Sequence, residues 1–344
     1  MKVNENLIVT DTKPGNDWKF DTILSEMTEL QWTVLDGGLQ YKLGSIRERL
    51  KRYINFLWFP FQLFLNRKKV KHLIAWQQYY GLIYAFYCML FHVKKQNYCM
   101  IMTFIYRQRN GILGYLQKKI MIRIVNSKYV DRILVYSQSE KEYYEKLLGT
   151  TKFFSVKLGL EDLAAGVEKR NRGSYILSAG RSNRDYDFLI HALLGQEHQV
   201  RIVCDALPAG KNENIRIYDN VYYEKFFQMI ADCYCVVITL KNSEISSGQL
   251  VILQAMQFAK PVIVTESKAV TDYISDGQEG FIVPKDEQIL REKIELLYQD
   301  KKLYNQMSAK ARERYEKNFS IKSLGKQIAD CFERDMREHC GKEN

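Results

Sequence analysis

Acidic residues are almost missing from the part of the chain that is richest in bases. Between Gly37 and Val130 there are 17 lysines or arginines and one acid, Glu48, a local charge of +16. From Glu161 onward 26 bases meet 28 acids, a charge of −2, so the overall +11 belongs to the first half. Such an asymmetry points to a polyanionic partner, either a membrane surface or a nucleic acid. Seven cysteines (Cys88, Cys99, Cys204, Cys233, Cys235, Cys331, Cys340) form no C-x-x-C pair and sit mostly in apolar runs. That excludes a disulfide frame, and Cys233 and Cys235 read as core strand; reduced cytoplasmic thiols are expected. The first residues show no charged-then-apolar leader with a small-residue cleavage site, so export is not expected. A bilayer span needs about 20 apolar residues. The stretch from His72 to Val93 has no formal charge, but Gln77, Gln78 and Gly81 interrupt it. No disorder signature is present: 46% of residues are hydrophobic and 26% charged. With 344 residues the chain suits two domains.

The texture of the basic half chooses between the two polyanions. Arg47, Arg49, Lys51 and Arg52 lead into Ile54–Leu65, which is mostly aromatic and aliphatic and contains Trp58; Arg67, Lys68 and Lys69 follow. An apolar, aromatic run between two basic clusters suits a membrane interface, with rings at the headgroup boundary and cations on anionic lipid. Nucleic-acid binders instead intersperse single aromatics among basic and polar residues. A membrane surface is therefore favoured, the alternative being a buried helix with solvated charged ends, and no nucleic-acid partner is expected.

Strand and helix patterns alternate along the chain. A strand at His72–Trp76 precedes a helix at Tyr79–Phe91. A strand at Tyr98–Tyr106, a helix at Leu113–Val125, a strand at Asp131–Ser137 and a helix at Glu140–Leu148 follow. After a polar linker at 161–173 the alternation resumes with a strand at Ser174–Ala179, a helix at Asp185–Leu194 and a strand at Gln199–Cys204. A short strand at Ile215–Tyr218, a helix at Tyr223–Ile230 and a strand at Cys233–Leu240 complete it. Such alternation implies α/β architecture, with parallel sheets covered by helices. Residues 1–160 and 161–318 are expected to form two doubly wound domains facing across a cleft. Residues 319–344 would hold a terminal helix, Ser320–Glu338, that packs back on the first domain. In such sheets ligands sit beyond the carboxyl ends of the strands.

The most informative stretch is Glu244–Thr265. Ser246, Ser247 and Gly248 read as a helix start, with a hydroxyl able to cap and a glycine allowing close approach of a ligand. Gln249–Phe258 is apolar on almost every side and reads as a buried helix; Pro261–Thr265 reads as a core strand. A glycine-marked helix N-terminus beside a buried strand is a place for a phosphate, although a well-capped core helix explains the same residues. The stretch resembles the donor motif of family 4-like, GT-B-fold glycosyltransferases (glycosyl transferases group 1), used in bacterial surface polysaccharide synthesis. The resemblance runs through Gly248, Leu253-Gln254-Ala255-Met256 and Ala259-Lys260-Pro261-Val262-Ile263. It continues into Ala269–Ile274 and Asp276–Val283, covering most of the second half.

The resemblance implies two Rossmann-like domains and a nucleotide-sugar donor, with no cofactor and no obligatory metal. After the strand at Ser174–Ala179 comes Gly180-Arg181-Ser182-Asn183-Arg184. Two arginines three apart on a glycine-led loop could grip a diphosphate, but by themselves read first as solvated surface residues. The resemblance places them, with Arg184 where lysine is usual, on the diphosphate of the departing nucleotide, which guanidinium can grip with permanent charge. It also aligns Ser246 and Gln254 with two glutamates of the family eight residues apart, about 12 Å along a helix. Gln254 can still accept from ribose hydroxyls. Ser246 cannot replace a glutamate at the sugar, though Glu244 or the N–H groups of Ser247–Gln249 can. The donor-side set is thus Gly180, Arg181, Arg184, Ser246, Ser247, Gly248, Gln249 and Gln254. On the acceptor side the strand-end rule selects Gln77, Gln78, Arg107 and Arg109, the arginines suiting an acceptor that carries phosphate, and Asp17 joins them from the first loop. For a general base there are Glu48, Asp11 and Asp17, with His72 and His92 read as structural; no base is assigned, and the scarcity of acids favours a retaining transfer. The reading is a hexosyltransferase, cytoplasmic and peripheral on the inner face of the plasma membrane. It would move a sugar from a nucleotide-sugar to a lipid-linked or saccharide acceptor in capsule or exopolysaccharide synthesis. A sugar-nucleotide epimerase and a non-catalytic, membrane- or RNA-binding relative are the alternatives, Ser246 and Gln254 supporting the latter.

Overall fold

The computed structural model describes residues 4–15, 18–39, 46–168, 173 and 175–340. Asp17 and residues 169–172 of the 161–173 linker therefore lie outside the described residues. The chain divides into two compact units, Met1–Val156 with Gly325–Asn344, and Lys157–Leu324.

The first unit holds β1 (Asn6–Thr12), α1 (Phe20–Thr28), β2 (Trp32–Leu39), α2 (Ile46–Leu65), β3 (His72–Ala75) and α3 (Gln78–Leu90). It continues with β4 (Tyr98–Ile101), α4 (Gly111–Asn126), β5 (Arg132–Val135), α5 (Gln138–Leu148) and β6 (Phe153–Ser155). The six strands form one sheet in the order β2-β1-β3-β4-β5-β6, with every neighbouring pair parallel. Strands of a parallel sheet covered on both faces are apolar at successive positions; Leu7, Ile8 and Val9 are all fully buried. Alternate residues face opposite sides. Leu73, Cys99, Ile101 and Ile133 join one cluster with Phe59 and Leu63 of α2, Tyr80 and Tyr84 of α3, Val125 of α4 and Tyr144 of α5. A strand expected over Tyr98–Tyr106 ends at Ile101. The rest of that apolar run packs Phe104 and Tyr106 inward as irregular chain, and the Gln78 amide clips Ile105 by accepting from its N–H and donating to its carbonyl.

Past Gly325 the chain is part of the first unit, within α11 (Ile321–Cys340). Phe332 packs edge-on against Trp32, His72 and Tyr98. Asp335, 2% exposed, accepts from Tyr98 Oη at 2.7 Å and from Arg132 Nε at 2.8 Å. His72, at the amino end of β3, lies 2.7 Å from Asn6 Oδ1, and burial followed by the Lys71 charge lowers its pKa.

The second unit contains β7 (Ile176–Ala179), α6 (Tyr186–Leu193), β8 (Val200–Val203), β9 (Gly210–Asn212), β10 (Ile215–Tyr218), α7 (Tyr223–Asp232) and β11 (Val236–Ile238). α8 (Gln249–Gln257), β12 (Val262–Thr265), β13 (Gly280–Val283), α9 (Glu287–Gln299) and α10 (Lys301–Asn318) complete it. Its sheet runs β13-β12-β11-β7-β8-β10-β9, parallel except for the β9–β10 pair. One face packs on α7, α8 and α10 and the other on α6 and α9. β11 is shorter than the expected Cys233–Leu240 because Cys233 N–H still donates to Met229 and Ile230 at the end of α7. All six described cysteines with placed side chains are free and buried. Among the described residues no helix is long and apolar enough to cross a membrane.

The Arg132–Asp335–Tyr98 cluster anchors α11. Removing one partner of a buried pair strands the other, at a cost of about 3–5 kcal/mol. Since Arg132 keeps 18% of its side chain in solvent, Asp335→Ala should cost about 3 kcal/mol in denaturant unfolding of the first unit. An unchanged midpoint would show that α11 is not held by this contact.

Candidate functional site

In the second unit β7 leads to a loop whose backbone is made possible by glycine. Gly180 has φ +110°, and a Cβ built there would lie 2.7 Å from Nη2 of Arg184. The missing side chain lets the Arg184 guanidinium fold back beneath the loop. There Nε donates to the Ala179 carbonyl at 2.9 Å, and Nη1 donates to the Ser182 carbonyl at 2.9 Å and to Ser247 Oγ at 3.2 Å. Arg184 is 9% exposed, burial lowers its pKa, and among the described residues no carboxylate pairs with it. A guanidinium stays charged even when buried. Arg184 is thus a cation held in place by two carbonyls and a hydroxyl.

The loop is tied to the start of α8. Asn183 adopts a left-handed conformation, φ 56°, one that asparagine tolerates. Its Nδ2 donates to the Asn242 carbonyl at 2.8 Å, its Oδ1 accepts from Asn242 N–H at 2.9 Å, and its carbonyl accepts from Lys241 N–H at 3.2 Å. Thr265 Oγ1 at the end of β12 accepts from Leu240 N–H at 2.7 Å. Arg181 stays exposed on the outside of the loop. Beyond it lies the Asp205–Tyr222 hydrogen bond, which raises the Tyr222 pKa while the Arg181 charge opposes the rise.

Gly248 is the N-cap of α8, with φ 98° and no side-chain cap. The expected hydroxyl cap is not formed: Ser247 Oγ accepts a hydrogen bond from Arg184 Nη1, and Ser246 Oγ accepts from the Gln249 amide. The first-turn N–H groups of α8 therefore end uncapped beside a buried cation. Gln254 is half-buried on the same helix. Glu244 is exposed and paired with Lys268. The structure thus brings Gly180, Arg184, Ser246, Ser247, Gly248 and Gln249 together at the carboxyl ends of β7 and β11. Asn183 and Asn242, which hold it together, were not singled out in the sequence. The position of Asn183, directly before an arginine in a glycine-led loop, was the available signal.

In the first unit Asp11 lies at the carboxyl end of β1, its Oδ2 3.4 Å from Gln77 Nε2. Gln77 itself caps α3. Gln78, an acceptor-side candidate, has its amide occupied by Ile105 and serves as a clip. Arg107 and Arg109 are exposed on the segment before α4. His92 follows α3 in a left-handed conformation, and neither it nor His72 is at a carboxyl strand end. Glu48 occupies the first turn of α2. Among the described residues no group of three or more potential ligands could hold a metal ion.

Residues 169–314 match the family model described as Glycosyl transferases group 1. HepE of Anabaena, solved with UDP and glucose, superposes with a TM-score of 0.69 at 14% identity, covering 96% of this chain and 100% of that one. Sucrose-phosphate synthase of Thermosynechococcus elongatus gives 0.68 at 11% identity, with 98% and 100% covered. WaaG, a glycosyltransferase of lipopolysaccharide biosynthesis, gives 0.58 at 12% identity, with 94% and 98% covered. The shared fold is GT-B. No curated protein matches the chain.

A methyl group at position 180 must both strain the backbone and displace Arg184. Gly180→Ala should therefore lower the stability of the second unit by about 1–3 kcal/mol. Gly210→Ala, with nothing within 4 Å of the added carbon, should leave it unchanged. Equal midpoints for both variants would remove the structural role given to Gly180.

Proposed function

We propose that this chain, whose residues 169–314 match the glycosyl transferases group 1 model on a GT-B frame, moves a sugar from a nucleotide-sugar donor to a saccharide acceptor. The acceptor is carried on a lipid at an anionic membrane surface, in the assembly of a cell-surface polysaccharide. The observation that carries the donor half is the buried Arg184 guanidinium, without a carboxylate, against the uncapped start of α8. Breaking a glycosidic bond to a nucleoside diphosphate puts charge on the departing phosphate. A preorganised cation and free N–H groups stabilise that charge as it develops, without reorganising solvent. Arg181, exposed on the same loop, adds a second guanidinium that can follow the leaving group. Neutralisation by arginines and a helix end makes a metal unnecessary.

The acceptor half rests on the first unit. Asp11 stands at the end of β1, and the exposed Arg107 and Arg109 suit a phosphate-bearing acceptor. With so few carboxylates the reading that fits is a retaining, same-face transfer in which the departing phosphate takes the acceptor proton. Arg47, Arg49, Lys51, Trp58, Lys68 and Lys69 are exposed and suit the membrane side. Arg52 is half-buried, close enough to Tyr80 for its charge to oppose the rise in the Tyr80 pKa. Arg67 is held over the Phe64 ring. These two therefore belong more to packing than to lipid. Ser246 and Gln254, in place of carboxylates, favour a second reading, a relative that binds the nucleotide without transferring sugar.

Thermal-shift titration with UDP, GDP, ADP and their sugars separates the readings. The expected result is stabilisation by one nucleotide, UDP being the first to try since HepE was solved with it. Arg181→Ala should weaken that binding at least about tenfold, the cost of losing a charged hydrogen bond. The Arg184→Ala variant should abolish it while circular dichroism reports a folded chain. No stabilisation by any nucleotide would sink the donor-site reading, and binding without turnover would favour the non-catalytic relative. A further variant, Gln254→Glu, should tighten binding by about 1 kcal/mol if the amide oxygen accepts from ribose hydroxyls. Weaker binding would place Gln254 elsewhere.

A further inference from the structure

Helix α4 does not behave as a layer of a globular core. Of its 16 residues only Gly114, Ile124 and Val125 are buried. Ile112 and Leu113 are each 81% exposed, and Leu116 and Ile120 are exposed at the spacing of successive turns. A soluble surface does not gather large apolar side chains in this way without a partner. The helix contains no acid; Lys119 and Arg123 are exposed, and Lys119 Nζ lies 4.6 Å above the exposed Tyr115 ring. Exposed Arg107 and Arg109 precede it and exposed Lys128 follows. Its start is fixed rigidly. A Cβ at Gly114 would lie 2.0 Å from the Arg109 carbonyl, so the first turn sits tight against the arginine-bearing segment.

The second observation is where α4 lies. Both α2 and α4 pack on α3, and all three belong to the same face of the six-stranded sheet. α2 presents Ile54, Leu57 and Trp58 to solvent, and the end of α3 adds Leu90 and Phe91. Exposed apolar side chains therefore extend across three neighbouring helices of one layer, within a region of 17 bases and one acid.

We propose that the α2–α3–α4 layer seats the first unit on an anionic lipid bilayer, with α4 as a second inserting helix beside α2. This deepens the membrane-surface reading above and rests on it. Apolar burial into the acyl boundary together with Lys/Arg attraction to anionic headgroups is the chemistry that matches an acid-free, apolar, basic-flanked helix. Two separated apolar ridges, in addition, fix the angle of approach, which one helix alone cannot. Charge complementarity selects the bilayer over a protein partner, whose interface would not need so strong a single-sign field.

The experiment is co-sedimentation of the full chain with vesicles of phosphatidylcholine alone and of phosphatidylcholine with phosphatidylglycerol. Wild type should sediment with the anionic vesicles and lose affinity as salt is raised. Leu113→Glu/Leu116→Glu in α4 and Ile54→Glu/Trp58→Glu in α2 should each weaken binding at least about tenfold, because both replace inserting apolar groups by charge. All substituted positions are exposed, so folding and nucleotide-induced thermal shifts should be as in wild type; those shifts report the donor reading separately. If the α4 variant sediments like wild type, α4 is not an inserting element. Wild type remaining in solution with both vesicles would overturn the proposal. So would a concentration-dependent dimer that the α4 variant dissolves, since the layer would then be covered by a second copy.

Discussion

The second unit is organised around a positive charge that the protein does not neutralise. Arg184 is buried, its Nε and Nη1 are taken by two carbonyls and a hydroxyl, and no carboxylate answers it among the described residues. Burying an unpaired cation is costly, and carbonyl dipoles recover only part of that cost. The surrounding chain is shaped to hold it. Gly180 removes the side chain that would collide with it, Tyr186 Oη donates to the Gly180 carbonyl at 2.5 Å, and the Asn183–Asn242 pair ties the loop to the segment entering α8. A site preorganised for an anion requires this kind of unfinished electrostatics. A carboxylate placed beside Arg184 would make the fold more stable and the site useless for phosphate.

The first unit shows the complementary arrangement. Its core is conventional, with α11 locked by Asp335 between Arg132 and Tyr98 and by Phe332 among three rings. Its helical layer is not, because apolar side chains are left outside on α2 and α4. Where the second unit leaves a charge without its counter-ion, the first leaves apolar area without its cover. Both features lower the stability of the isolated chain, and in the proposed function each is relieved by a ligand of the opposite character.

Some of this was legible in the sequence for clear reasons. The α/β alternation followed from apolar runs of strand length separated by helical ones, and α8 with β12 followed from Gly248 and Pro261 as punctuation. Strand ends were less legible. The run at 98–106 is uniformly apolar, so nothing local marks Ile101 as the last strand residue; the stop comes from Gln78 reaching across from another helix. The same reach explains why Gln78 looked like a ligand-facing residue. A glutamine after a strand reads alike whether its amide faces substrate or backbone. The arginines at 181 and 184 were equivalent in the sequence, and burial separates them into one exposed cation and one buried, hydrogen-bonded cation.

The departures at Ser246 and Gln254 fall unevenly across the site. The groups that would meet phosphate are Arg184, Arg181 and the start of α8, and all three are intact, since the uncapped turn depends on Gly248 and not on a glutamate. Ser246 instead hydrogen-bonds Gln249, closing a small polar bridge over the first turn of α8 where a carboxylate would have projected. The consequence falls on the part of the ligand beyond the diphosphate. On the proposed donor reading, anion recognition rests on backbone and arginine geometry and does not depend on carboxylates at positions 246 and 254. Recognition of the sugar hydroxyls, which depends on acceptor side chains, has to be made from neutral groups. Neutral acceptors bind hydroxyls less strongly and do not repel a neighbouring diphosphate. On that reading Ser246 and Gln254 shift the balance of donor binding from the sugar toward the phosphates.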